Sequence, residues 1–155
     1  MQQPHNLSKK TKHQLSMITC TRKFHFDSAH RVMQHENKCK LLHGHRYVVE
    51  ATFTAKNLDN LGRIIDFSVI KDLLGSWLDN NFDHNTILHQ DDSQLGEQIA
   101  KITGQKIYYL PCNPTAENIA WYLHTKICPI LFDACNIGCV GITVFETPNC
   151  FAQIK

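Results

Sequence analysis

The chain has 155 residues, 43% of them apolar, enough for one compact domain with a real core. Its 16 lysines and arginines against 14 acids leave a net charge of only +2, which argues against nucleic acid or a membrane surface as partner. Seven cysteines, without the apolar core of a secretory signal or any stretch long and apolar enough to span a bilayer, point to reduced thiols in the cytoplasm.

Residues 1–17, MQQPHNLSKKTKHQLSM, are polar and precede the first acid, Asp27. They are expected to be a flexible tail ahead of a single domain over 18–155. Residues 18–27 partly alternate, with Cys20, Phe24 and Phe26 on one face, so a strand is expected there, ending in SAHRV. The following MQHENKCK has no regular period and reads as a loop. Residues 44–55 alternate again, with His45, Tyr47, Val49, Ala51 and Phe53 on one side, and form the second expected strand. NLDNLGR supplies turn chemistry, Gly62 being the residue that tolerates a positive φ.

Asp66 can cap a helix through about Leu78, whose apolar residues Ile70, Leu73, Leu74, Trp77 and Leu78 recur at helical spacing. DNNFDHNTIL reads as a loop. Residues 94–103 suit a short helix and KIYYL a short strand. Asn113 to Thr115 looks like a helix start. That helix is expected to run to about Cys128, burying Ile119, Ala120, Leu123 and Ile127, and to stop at Pro129. CVGITVFE and CFAQI read as two closing strands joined by a tight TPN turn. The order suggests an α+β layer: a four-stranded antiparallel sheet with two helices on one face.

His43-Gly44-His45 is the strongest local signal for chemistry. Two histidines at spacing two on a strand project to one side, and imidazoles suit zinc in a tetrahedral array. His30 closes the first strand, which a hairpin-like pairing brings against the start of the second. Three histidines without a fourth protein ligand leave a position open for water or substrate. His25 and His35 are rival ligands. Cys39, four residues before His43, is a base, a nucleophile or a fourth ligand; four ligands would close the site and make it structural. In Asp83-His84 a carboxylate can orient an imidazole and raise its basicity. Glu146, at the end of an apolar strand, can accept two hydrogen bonds from a planar, guanidine-like edge.

Six segments then occur in a telling order from about Cys20 onward: FDSAHRV, CKLLHGHRY, GRIIDFSVIK, the FDH loop, NPTAENIAWYL and VFET. Together they resemble the superfamily of 6-pyruvoyltetrahydropterin and 6-carboxytetrahydropterin synthases. The resemblance implies zinc on His30, His43 and His45, Cys39 as proton acceptor, and Asp83 with His84 completing the catalytic group. It implies Glu146 as anchor of the pterin ring, with Thr115 and Glu117 near the pterin pocket. It also implies a tunnelling-fold subunit (two strands, two helices, two strands). Such subunits form homohexamers with sheets joined around a barrel and active sites between subunits. The three residues between Cys39 and His43 resemble the branch that makes 6-carboxytetrahydropterin from 7,8-dihydroneopterin triphosphate for queuosine biosynthesis. The alternatives are the pyruvoyl-forming reaction and a non-catalytic zinc- or pterin-binding module. Arg31 and Lys40 are candidate grips for the triphosphate. The stretch between His84 and Thr115 is longer than in the family's short forms, so an insert is expected at about 91–110.

Overall fold

The structure is a computed structural model describing residues 17–155. The tail expected over 1–17 therefore lies, Met17 apart, outside the described residues. Strands β1 (Cys20–His30) and β2 (His43–Ala55) come first. Helix α1 follows as one run of Phe67–Ile70, a π turn at Lys71–Gly75 and Ser76–Asn81. Next come β3 (Thr86–His89), α2 (Ser93–Thr103) and β4 (Ile107–Leu110). Helix α3 joins Ala116–Tyr122, a π turn at Leu123–Ile127 and Cys128–Phe132. Strands β5 (Ile137–Thr147) and β6 (Cys150–Ile154) close the chain.

The fold is α+β, but the sheet has six strands, in the order β4-β3-β1-β2-β5-β6. The four strands expected to make the sheet do form an antiparallel run, β1-β2-β5-β6, and the short strand expected at KIYYL is β4. The expectation of a four-stranded, wholly antiparallel sheet is corrected by β3 and β4, which add parallel strands beyond β1. The segment read as the loop DNNFDHNTIL supplies the end of α1 and the start of β3. Thr86, Ile87 and Leu88 are all buried, so β3 has no polar face to betray its period.

Alternation along β1, β2 and β5 sends Phe24, Phe26, Tyr47, Val49, Ala51, Phe53, Ile142 and Val144 to one face. There they meet Ile70, Leu74 and Leu78 of α1 and Ile119, Leu123 and Ile127 of α3 in one core. Helix α2 lies elsewhere. Tyr108 and Leu110 of β4 belong to this core, whereas their alternates Ile107 and Tyr109 crowd Gly96 of α2. The insert helix thus covers the opposite face of the sheet at the β4 end.

Local chemistry explains the helix ends. The Asp66 carboxylate accepts from the Ser68 N–H at 2.8 Å and starts α1, and Thr115 Oγ1 accepts from the Asn118 N–H at 3.3 Å and starts α3. Gly62 takes the expected positive φ, +81°. Helix α3 does not stop at Pro129, as expected, but runs on to Phe132. The π turn before Cys128 resets the hydrogen-bond ladder, so Pro129 falls at the start of the last segment, where its missing N–H is tolerated.

Candidate metal centre

The antiparallel register of β1 and β2 sets Ser28 opposite His45 and His30 opposite His43. All three histidines share parity with Phe26 and Tyr47, so they crown the core face where the two strands end. His30 is buried, and His43 and His45 are half-buried. One potential ligand atom from each lies within 4.8 Å of the others.

The backbone orients these rings. His30 donates Nδ1–H to the Pro114 carbonyl at 2.8 Å, and His43 donates Nδ1–H to the Leu41 carbonyl at 2.7 Å. Each bond leaves the Nε2 lone pair unprotonated, and the two Nε2 atoms face one another at 3.2 Å. His45 Nε2 is buried without a hydrogen-bond partner among the described residues; Glu146 Oε1 is 3.3 Å away but poorly aligned. Burial pulls the His30 imidazole down to about 4, against the Pro114 carbonyl and with the two neighbouring histidines. Burial also lowers His45, against the pull of Glu146. Convergent imidazoles with an orphaned nitrogen fit a metal ion, and three ligands leave part of its coordination shell open.

The rival ligands stay outside this cluster. His25 is exposed on the other face of β1, and His35 Nδ1 is taken by the Asn37 N–H at 2.9 Å. Cys39 sits half-buried in the short Lys38–Lys40 turn, anchored by its carbonyl to the Val32 N–H at 2.8 Å. Its thiol is not among the grouped ligand atoms. All seven cysteines are free of disulfides.

Asp83 and His84 pair as expected; neither is among the grouped ligand atoms, and His84 borders a cavity that His45 also lines. Asp83 Oδ1 accepts from the Asp27 N–H at 2.8 Å, and Oδ2 accepts from His84 Nδ1 at 2.7 Å. The His84 N–H in turn donates to the Asp27 carbonyl at 2.7 Å, with His84 held at φ +54°. Burial works to raise the Asp83 carboxyl, yet the Asp27 N–H and His84 outweigh it and hold it below the usual range. The bond to Asp83 raises the His84 imidazole. The His84 side chain is 80% exposed.

Glu146 is brought to His45, and both line a cavity of about 570 Å³ with Lys23, His25, Arg46 and Phe145. Thr115 is the cap of α3, and Glu117 is exposed on its first turn. The NPTAEN segment reaches the site through its backbone and Asn113. Asn113 Oδ1 accepts from the Met33 N–H at 2.9 Å, and its Nδ2 donates to the Met33 carbonyl at 3.1 Å, pinning the loop after His30. Arg31 is gripped by Asp92 through both Nε and Nη2, so it is not a free cation for phosphate.

Sequence reasoning passed over Asn113, the carbonyls of Leu41 and Pro114, and Asp92. Asn113, just ahead of the helix cap, is the one with a visible signal. Tyr47, just below the cluster, reads from the sequence as a core position. Tyr47 is fully buried, its ring stacked on Phe26 at 4.9 Å and set edge-on to His30 and His45 at 5.7 and 5.6 Å. Burial, with the Glu146 carboxylate nearby, pushes its phenol upward.

Where its first two strands meet, this α+β sheet carries a three-imidazole cluster of the kind that can hold a metal ion, flanked by a carboxylate. Comparisons narrow the class. Residues 19–155 match the family model described as 6-pyruvoyl tetrahydropterin synthase, and the chain belongs to that family. A protein of Rickettsia bellii named 6-carboxy-5,6,7,8-tetrahydropterin synthase is 54% identical over 138 residues, covering 89% of this chain and all of that protein. One of the same name from Haemophilus influenzae is 28% identical over 145 residues, covering 90% of this chain and 99% of that protein. Among solved structures, an uncharacterized protein of Wolinella succinogenes superposes with a TM-score of 0.74 at 19% identity, over 89% of this chain and 97% of that one. Caenorhabditis elegans 6-pyruvoyl tetrahydropterin synthase superposes at 0.63 and 22%, over 90% and 95%. Both likenesses support the fold. No helix among the described residues is long and apolar enough to cross a membrane.

Proposed function

We propose that the chain is a zinc-dependent lyase of the cytoplasm that converts 7,8-dihydroneopterin triphosphate to 6-carboxy-5,6,7,8-tetrahydropterin. Acetaldehyde and triphosphate are released, and the product serves queuosine biosynthesis. The observation that carries this reading is the open three-histidine cluster beside Glu146, with the Cys39 thiol outside it. The relatives' shared name supports the choice of product. Residues 18–155 act as one domain, with 91–110 as its insert.

His30, His43 and His45 would hold Zn2+, which as a Lewis acid supplies acidity to substrate side-chain oxygens. The remaining work falls to the chain. Glu146 accepts two hydrogen bonds from the amino-pyrimidine edge of the pterin and fixes the ring in register, which lowers the barrier by orientation. Thr115, the cap of α3, and Glu117, exposed on its first turn, are proposed to lie near the pterin. Cys39, as thiolate, takes a proton from the side chain. His84, oriented through Nδ1 by Asp83, carries a proton at Nε2. The outward exposure of His84 supports a homohexamer in which the Asp83–His84 pair of one subunit completes the site of another.

The rival is the pyruvoyl-forming reaction, favoured by the description of the family model itself. Product analysis separates the two. The purified, zinc-loaded protein given 7,8-dihydroneopterin triphosphate should release acetaldehyde with the 6-carboxy product. A pyruvoyl product without acetaldehyde transfers the chain to the rival reaction. No turnover of either kind leaves a non-catalytic binding module.

A further inference from the structure

Helix α2 ends at Gly104, whose left-handed φ of +72° turns the chain into β4. The next two residues, Gln105 and Lys106, reach across to the turn between α1 and β3. Lys106 donates from Nζ to the Asn80 carbonyl at 2.8 Å and to Asn81 Oδ1 at 3.0 Å, and its own carbonyl accepts from the Thr86 N–H at 3.2 Å. Gln105 is bonded at both ends of its side-chain amide. Its Oε1 accepts from Thr86 Oγ1 at 2.6 Å, and its Nε2 donates to the His84 carbonyl at 2.9 Å.

His84 needs such a tie for two reasons. It holds φ at +54°, a left-handed conformation that a residue with a Cβ keeps when its surroundings hold it there. Its side chain is also largely exposed, so hydrogen bonds rather than packing must fix its place. Three do so: the ring bonds to Asp83, the His84 N–H donates to the Asp27 carbonyl, and the His84 carbonyl accepts from Gln105. The last of these is the one supplied by the 91–110 segment. Gln105 and His84 line one cavity of about 350 Å³, together with His45 and Arg46. Gln105, engaged at both ends of its amide, belongs to the frame of that cavity and acts on it through His84.

We propose that Gln105 is a positioning residue for the Asp83–His84 pair, its amide holding the left-handed turn so that the His84 imidazole is presented in one orientation. The role rests on the reading of His84 as a proton carrier. A carrier held in place spends no time in unproductive ring positions, so loosening it lowers kcat more than it raises KM.

Gln105→Met and Gln105→Glu in the full, zinc-loaded chain are the test. Methionine removes both bonds, whereas glutamate keeps the acceptor for Thr86 and loses the donor to His84. With 7,8-dihydroneopterin triphosphate, both variants should lower kcat about fivefold or more and leave KM within about twofold. Zinc content should stay that of the wild type; its loss would show damage beyond the turn and overturns the inference. Unchanged kcat in Gln105→Glu sinks the proposal, even where Gln105→Met is too unstable to assay. In a His84→Ala background, Gln105→Glu should lower kcat no further, and a second loss of the same size would show that Gln105 acts elsewhere. If the wild type turns over no pterin, it is the proposed reaction that fails. Gln105 is then judged by NMR relaxation of isotope-labelled histidine: the order parameter of the His84 ring should fall in Gln105→Glu, and an unchanged value refutes the tie.

Discussion

Replacing Asp92 by alanine should destabilise the subunit by about 2–3 kcal/mol. The Asp92 carboxylate is 6% exposed and accepts from both Nε and Nη2 of Arg31, whose side chain is 32% exposed. Breaking a fully buried pair from one side costs about 3–5 kcal/mol, because it strands the surviving charge. Here a third of the guanidinium is already wet, so solvent screening reduces the penalty. The link matters for the site, since Arg31 follows His30 directly and Asp92 opens the insert. Urea unfolding of the metal-free protein, at fixed protomer concentration, should move its midpoint down by about 1 M, taking about 2 kcal/mol per molar as the slope. The double variant Arg31→Met with Asp92→Leu should recover most of the loss, having no stranded charge. A loss below about 0.5 kcal/mol for Asp92→Ala, the value of an exposed pair, would refute the view that this contact docks the insert.

His43→Ala should cut zinc to less than about a tenth of one ion per chain, by elemental analysis, because two imidazoles bind zinc poorly; retention of a full equivalent would remove the site. Cys39→Ala should keep its zinc and lose activity by at least about a hundredfold, whereas loss of zinc would identify the thiol as a ligand. His84 should titrate above its ordinary 6.5 by NMR, and Asp83→Asn should bring it back toward that value. Since the His84 pKa is raised and the Asp83 pKa lowered on folding, the pair's contribution to stability is full between the ordinary carboxylate range and about 6.5; it is lost as pH rises through the folded His84 value or falls through the folded Asp83 value. An unmoved His84 titration in Asp83→Asn would separate the two residues.

The histidine cluster was legible because it needs only two short-range rules. Alternation puts His43 and His45 on the face of Tyr47 and Val49, and the antiparallel pairing of neighbouring strands brings His30 to them. Asp66, Thr115 and Gly62 were legible for the same reason, each being a cap or turn whose chemistry is contained within a few residues.

Local rules thus specify the elements with a clear period or cap, the antiparallel run of four strands, and the three imidazoles at one end of it. The remaining features depend on long-range packing. Strand β3 exists because Ala29 and His30 offer it an edge, a partner 57 residues away in the pairing Ala29↔Thr86. The side chosen by α2 follows from which residues of β4 the core had already taken. The extension of α3 past Pro129 depends on a π turn that no residue pattern announced. The bonds from Pro114 to His30, from Asn113 to Met33 and from Asp92 to Arg31 join segments about 60 to 84 positions apart. The physical reason is common to all of them. A periodic face or a cap is satisfied locally, but a buried polar group is satisfied by whatever the fold carries to it, and that is set by the packing of the whole chain.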